Sequence, residues 1–459
     1  MNFISFIYRG KRIKVYELIF LKGGWNMKGN YRYLIMTLLT TIVMINFIDR
    51  GALSYAQEFI IEEYGLNENW GQILGFFGYG YIFGGFFGGL LADKKGPRYI
   101  WILAATTWSV CAMLLGIAGD IGIAIFGGSA IVGFAIFRIL FGLFEGPINA
   151  AQNATVGKWA AQKDKAFMVS MGQLGVPLGA LLTAPIAVAL ISAFGWKGMY
   201  ITLGLVGIVW VIIWFKVFTD YPEDNPHVTK EELEKIRSAE GLLESESAVN
   251  KSNQAKTPWY HFFKHPTLIF NVLAYFSFQF ISFINLTWTP KYLQDEFGFE
   301  LSSLWYIGMI PWIGACITIL LGAKLSDLLR RKTNNLRIAR TSIGIVSFFL
   351  TAICFLLILT VNSPGAVLTL MMIANGLAFL PSTLFWVIIL DTDPDNSGSY
   401  SGITHFFVNI AAIVAPTLTG FLVLRYGYDA MFITAAIAAI LSMVFLTSLA
   451  RSPLPQGTE

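Results

Sequence analysis

Four ionisable side chains stand inside long apolar runs. Asp49 and Arg50 fall within the run that begins near Tyr33, and Arg138 and Glu145 within the run at 122–150. A charge at a bilayer centre costs at least about 2.5–3.5 kcal/mol on insertion scales, so such groups must face a partner, a protein interior or water. A guanidinium presents paired coplanar donors that match a carboxylate. Arg50 is therefore a candidate clamp for an anionic solute; a permanent salt bridge to Asp49 or Glu145 is the alternative. Arg138 reads as a direct ligand or as a charge partner and gate element. Asp49 and Glu145 are candidate proton carriers. A carboxylate that moves between wet and dry surroundings, or loses its arginine to an arriving anion, can change its proton occupancy; static ion pairing is the rival reading. Seven positions separate Arg138 from Glu145, which puts them on one helix face about 10.5 Å apart along the axis, at two levels of one cavity. Tyr79, Tyr81, His405 and Asn409, with Gln57, Gln152, Gln173, Asn285 and Asn375, are candidate cavity-lining groups or helix-to-helix glue.

The elements that must position these groups follow from composition. Of 459 residues, 55% are apolar and only 13% are Asp, Glu, Lys or Arg, against about 25% charged residues in a soluble protein. Too few charges are present to clothe a soluble particle, and lipid as the outer solvent resolves the shortage. Apolar stretches near 33–56, 68–91, 98–118, 122–150, 165–192 and 196–218 are expected to be spanning helices. A second set lies near 266–290, 302–323, 337–359, 363–390, 399–423 and 428–449. The expected fold class is an all-α membrane protein with twelve transmembrane helices in two six-helix bundles. The divisions are an N-terminal segment 1–32, a first bundle 33–218, a linker 219–265, a second bundle 266–450 and a tail 451–459. Within the linker, a charged run at 230–243 is expected to form a short amphipathic surface helix, the rest serving as a tether. With the two ends and the linker on one side, that side holds 27 of the 32 Lys and Arg residues, which makes it cytoplasmic by the positive-inside rule. A multi-pass protein of the plasma (inner) membrane is expected, with both termini cytoplasmic. The 44 glycines, frequent within the apolar runs, suit close helix contact in lipid.

Other chemistries find no support. Cys111, Cys316 and Cys354 lie in separate apolar runs without CxxC spacing, and the four histidines form no HExxH pattern, so neither a metal nor a cofactor is expected. No nucleophile–base constellation stands out, and an enzyme is not expected. The N-terminus lacks the short apolar run and small-residue site of a cleavable signal peptide. Basic residues spread over short loops argue against nucleic acid. The expected partners are a small organic anion, protons as coupling ion and the lipid bilayer; because one chain contains a complete pathway, a monomer is the expected unit.

Several stretches carry a family resemblance. Gly89-Leu90-Leu91-Ala92-Asp93-Lys94-Lys95-Gly96-Pro97-Arg98, with a reduced second copy at Gly322–Asp327 followed by Arg330 and Arg331, resembles the signature of the major facilitator superfamily. Asp49-Arg50-x-x-Leu53-Ser54-x-Ala56 and Arg138-x-x-x-Gly142-x-x-Glu145-Gly146-Pro147 resemble its anion–cation symporter family, as do Trp288-x-Pro290-x-Tyr292-Leu293 and Trp386, Asp391, Asn409 and Pro416. The resemblance implies proton-coupled uptake of a small carboxylate such as a hexuronate or aldonate by alternating access. It casts Arg50 as the substrate-carboxylate arginine, Asp49 and Glu145 as coupling acids, Arg138 as their charge partner, and Tyr81 and Asn409 as substrate neighbours. Gly89, Asp93, Arg98 and Asp327 are implied as a conformational latch. Gly85 and His405 depart from the sugar-acid members, which often carry Gln and Asn there, and both changes touch candidate polyol contacts. An organophosphate–phosphate antiporter would place a second arginine at 266–290, where no Arg or Lys stands; a metabolite or drug exporter sits poorly with buried arginines. A non-transporting membrane sensor is the remaining alternative.

Overall fold

The structure is a computed structural model that describes residues 5–8, 11–14, 29–160, 165–237, 259–393 and 397–451. A short antiparallel pair, β1 (Ser5–Tyr8) with β2 (Lys11–Lys14), precedes the helices. The first half then contains α1 (Tyr31–Tyr55), α2 (Gln57–Tyr64), α3 (Trp70–Lys95), α4 (Pro97–Leu115), α5 (Ala118–Ile125), α6 (Ala130–Glu145), α7 (Ile148–Trp159) and α8 (Lys165–Val217). After α9 (Lys230–Arg237), the second half contains α10 (Pro266–Phe297), α11 (Leu301–Ile307), α12 (Ile310–Thr333), α13 (Leu336–Ile358), α14 (Pro364–Phe379), α15 (Leu384–Thr392), α16 (Ser397–Val408), α17 (Ala411–Tyr426) and α18 (Asp429–Arg451).

Helices dominate because hydrocarbon offers no partner to a free backbone N–H or C=O. Proline opens α4, α10 and α14, at a position whose N–H has no intrahelical acceptor. Among the described residues, ten helices are long and apolar enough to cross a membrane. One of these, Met171–Val217, contributes two crossings, broken at Gly195, which sits at φ 69°. Reversal there is visible in the contacts of α1. Thr40 donates to Met171 O, Thr183 donates to Phe47 O, and the Trp210 indole donates to Leu38 O. Residues 171 and 210 therefore lie at the same level. The glycine-diluted α3 supplies the remaining crossing, which gives the expected twelve.

Within the first half α1 packs on α8 and α3 on α6; within the second, α10 and α13 pack on α18, and α12 on α14. The α3–α6 contact explains the glycines of that stretch. A Cβ on Gly80 would sit 1.8 Å from Ile139 O, and one on Gly84 2.0 Å from Leu143 O, so only glycine permits this backbone approach. The two halves meet at the end remote from the termini. There Ser54 donates to Leu286 O, Thr417 donates to Gly71 O, and Gly71 lies against Pro416 and Gly420.

The linker is more than a tether where it is described. Its helix α9 buries Glu232, whose carboxylate accepts from the Tyr31 and Arg32 N–H groups at 3.0 and 2.9 Å. Those N–H groups have no intrahelical acceptor, being at the positive end of α1, and the carboxylate supplies one. The expected helix at 230–243 is observed over 230–237; the remainder lies outside the described residues.

Candidate functional site

Three spanning segments break where they border a central cavity: α6 from α7 at Gly146-Pro147, α14 from α15 at 380–383, and α16 from α17 at Asn409-Ile410. Interrupted backbone at membrane depth is tolerated where it lines a cavity. Side chains in or beside the breaks, namely Asn149, Ser382, Thr383, His405 and Asn409, join Asn46, Arg50, Tyr81, Gln152, Gln173, Gln279, Ser282 and Trp386 around about 960 Å³ of empty volume, counting its open mouth. These positions belong to the middle and termini-side portions of their spans, whereas the inter-half contacts seal the other end. The cavity is thus closed away from the termini.

Arg50 forms one wall. Its Nη2 donates to Glu145 Oε2 at 2.9 Å and to Asn46 Oδ1 at 3.2 Å, and its Nε reaches the same Glu145 oxygen at 3.3 Å. Nη1 carries none of these bonds. Three rings sandwich the cation: Phe47, Phe77 and Tyr81 have centroids 4.8, 4.4 and 4.7 Å from Cζ. Cation–π contact strengthens in such desolvated surroundings. Glu145 is fully buried, and its Oε1 has no protein partner. A pair this dry persists only while each charge keeps a counter-charge.

Arg138 occupies the second level, but its guanidinium is held by backbone: Nη2 donates to Leu74 O at 3.1 Å and Nε to Ile73 O at 3.4 Å. It does not line the cavity, and Phe77 lies between it and Arg50, 5.2 Å from its Cζ. Glu145 hydrogen-bonds to Arg50 rather than to Arg138. Asp49, one position and about 100° around the helix from Arg50, points into the first half instead. Both its oxygens are buried without a hydrogen-bond partner, beside the Trp108 indole.

Of the polar candidates, Tyr81, Gln152, Gln173, His405 and Asn409 reach the cavity. Tyr79 does not: two helical positions from Tyr81 rotate it by about 200°, and it is 47% exposed on the outer face. Asn285 donates to Asn375, which donates to Pro311 O. Gln57 is buried with its amide unpaired, outside the cavity. Arg98 has its Cζ 5.0 Å from the Phe215 ring centroid and donates to Phe215 O, and its N–H donates to Asp220. The surroundings of Gly89 and the side chains of Asp93 and Asp327 lie outside the described residues. Among the site neighbours that sequence reasoning did not single out are Phe77, Asn46, Asn149, Gln279, Ser282, Ser382 and Thr383. Phe77 and Tyr81 share the i, i+4 spacing that stacks side chains, but in a chain of 38 phenylalanines that spacing marks nothing.

Such an arrangement can bind a small anion and exchange a carboxylate partner on one arginine. Among the described residues, no cluster of His, Cys, Asp and Glu could hold a metal ion. Residues 39–416 match the sequence profile described as Major Facilitator Superfamily. The chain is 30% identical over 423 residues to a hexuronate transporter of Bacillus subtilis strain 168, covering 91% of this chain and 94% of that protein. It is 28% identical to a probable sulfoacetate transporter of Cupriavidus necator (92% and 94% covered) and 28% identical to a D-galactonate transporter of Escherichia coli O6:H1 (91% and 95% covered). Among solved structures, a D-xylose–proton symporter superposes with TM-score 0.69 at 15% identity, covering 93% of this chain and 99% of that one; the likeness is one of fold.

Proposed function

As this chain belongs to the Major Facilitator Superfamily, we propose that it is a secondary active transporter that couples proton movement to uptake of a sugar acid, a hexuronate or aldonate. The observation that carries the reading is the buried Arg50–Glu145 pair, whose arginine lines the cavity. An entering carboxylate is the natural replacement for Glu145 on the guanidinium. Displaced into the same dry wall, Glu145 is relieved of its charge by a proton. Substrate anion and proton then enter and leave together, with no net charge moved.

The relatives that transport hexuronate and galactonate support this substrate class. The amide- and hydroxyl-rich lining, with Gln173, Gln279, Ser282 and Asn409, suits a polyol chain. With the basic side taken as cytoplasmic, the cavity is closed to the outside and belongs to an inward-facing state. Rocking of the halves about the sealed end exposes it to the other side. Purified protein in proteoliposomes should accumulate labelled glucuronate or galactonate under an inward proton gradient, and Arg50→Ala should abolish it. Normal uptake by that variant would refute the clamp.

A further inference from the structure

We propose that Asn46 is a second donor of the solute site: its side-chain amide steadies Arg50 and gives the arriving carboxylate a hydrogen bond that Glu145 does not make. The inference rests on the carrier reading above and adds a solute-binding residue to it. Asn46 and Arg50 share one face of α1, four positions and about 6 Å apart along the axis. Asn46 is 2% exposed and belongs to the cavity wall beside Arg50. Its Oδ1 accepts from Arg50 Nη2 at 3.2 Å. A guanidinium only donates, so this bond assigns the amide oxygen to the arginine side. Nδ2 is left on the side of the Glu145 carboxylate.

The resident pair leaves bonds unmade. Glu145 Oε2 accepts from both Nη2 and Nε of Arg50, while its Oε1 is buried without a hydrogen-bond partner. Asn46 Nδ2 is buried beside this carboxylate and has no hydrogen-bond partner among the described residues. A buried donor or acceptor left unpaired keeps its full desolvation cost. Glu145 is tethered to α6 and meets the arginine with one oxygen. A free carboxylate has no tether, so it can turn to set one oxygen on Nη2 and the other on Nδ2. While Glu145 stays, Nδ2 is covered; the anion that displaces Glu145 comes within its reach. The solute thereby gains a contact that the resident carboxylate lacks, which is what exchange on one arginine requires. The bond from Nη2 to Oδ1 does not involve Glu145, so the guanidinium keeps an acceptor while the two carboxylates change places.

The test is equilibrium binding of glucuronate, isotopically labelled at its carboxylate carbon, with the bound carboxylate followed by infrared difference spectroscopy. Asn46→Ala should weaken binding about 10–100-fold, the loss of one hydrogen bond to a charged group, and should shift the carboxylate stretch of the bound solute. The same factor should appear in a Glu145→Gln background, because the acceptor for Nδ2 is the solute and not Glu145. Should Asn46→Ala fail to fold, Asn46→Leu, close in shape and without polar side-chain atoms, carries the same expectation. Unchanged or tighter binding in a folded variant would overturn the inference, because the amide would then serve only the resident pair. So would a loss that disappears in the Glu145→Gln background, or a bound carboxylate whose stretch matches that in wild type. In each of these cases the wild type still binds and exchanges glucuronate, and the carrier reading stands. A wild type that binds and exchanges no organic acid would remove the carrier reading and this inference with it.

Discussion

Replacing Glu145 by glutamine separates binding from coupling. In the wild type an arriving carboxylate competes with Glu145 Oε2, which accepts from Arg50 Nη2 at 2.9 Å and from Nε at 3.3 Å. A hydrogen bond between charged groups contributes roughly 1.5–3 kcal/mol. A neutral amide of the same shape competes more weakly, so the freed guanidinium should bind a hexuronate about 10–100-fold more tightly, at 1.4 kcal/mol per factor of ten. The loss of the titrating group removes the coupling. Glu145→Gln should therefore bind tightly in an equilibrium assay and still catalyse counterflow, yet fail to concentrate solute under an inward proton gradient. Accumulation equal to wild type would show that Glu145 is not the coupling acid, and weakened binding would show that it does not compete for Arg50.

Three other substitutions test the framework. Arg138→Ala uncaps the Ile73 and Leu74 carbonyls and removes a buried cation. It should lower stability by about 2–4 kcal/mol, read as a loss of melting temperature in detergent. Gly84→Ala places a Cβ 2.0 Å from Leu143 O; forcing α3 away from α6 should destabilise by at least about 1–3 kcal/mol, read in the same way. Gly71→Ala places a Cβ 2.9 Å from Pro416 O at the sealed end; by opposing closure there it should slow flux, and normal flux in the folded variant would contradict rocking at this seam.

Much of the fold was legible because lipid removes choices. Twelve apolar runs become helices, and charges inside them must meet something. The Arg138–Glu145 spacing puts both groups on one face of α6, but the expected two levels of one cavity do not hold, because Arg138 stands outside the cavity lining against carbonyls of α3. What each level touches was not legible. Arg138 is satisfied by carbonyls of α3, and any residue type supplies a carbonyl. Tyr79 and Tyr81 were indistinguishable as cavity groups because α3 is apolar and glycine-rich all round, so no polar stripe sets its rotation. The breaks at 380–383 and 409–410 interrupt spans without changing their hydropathy, yet they place Ser382, Thr383 and Asn409 at the cavity. The Gly85–His405 contact joins residues 320 positions apart, and only packing reveals that one makes room for the other.

The most direct test of the exchange on Arg50 follows solute and proton together. Proteoliposomes containing wild-type protein and a trapped pH indicator are given labelled glucuronate or galactonate, with membrane potential clamped at several values. One proton should enter with each anion, independent of the potential, and the acidification should vanish in Glu145→Gln. Anion entry without acidification, or entry that changes with the clamped potential, would contradict the account.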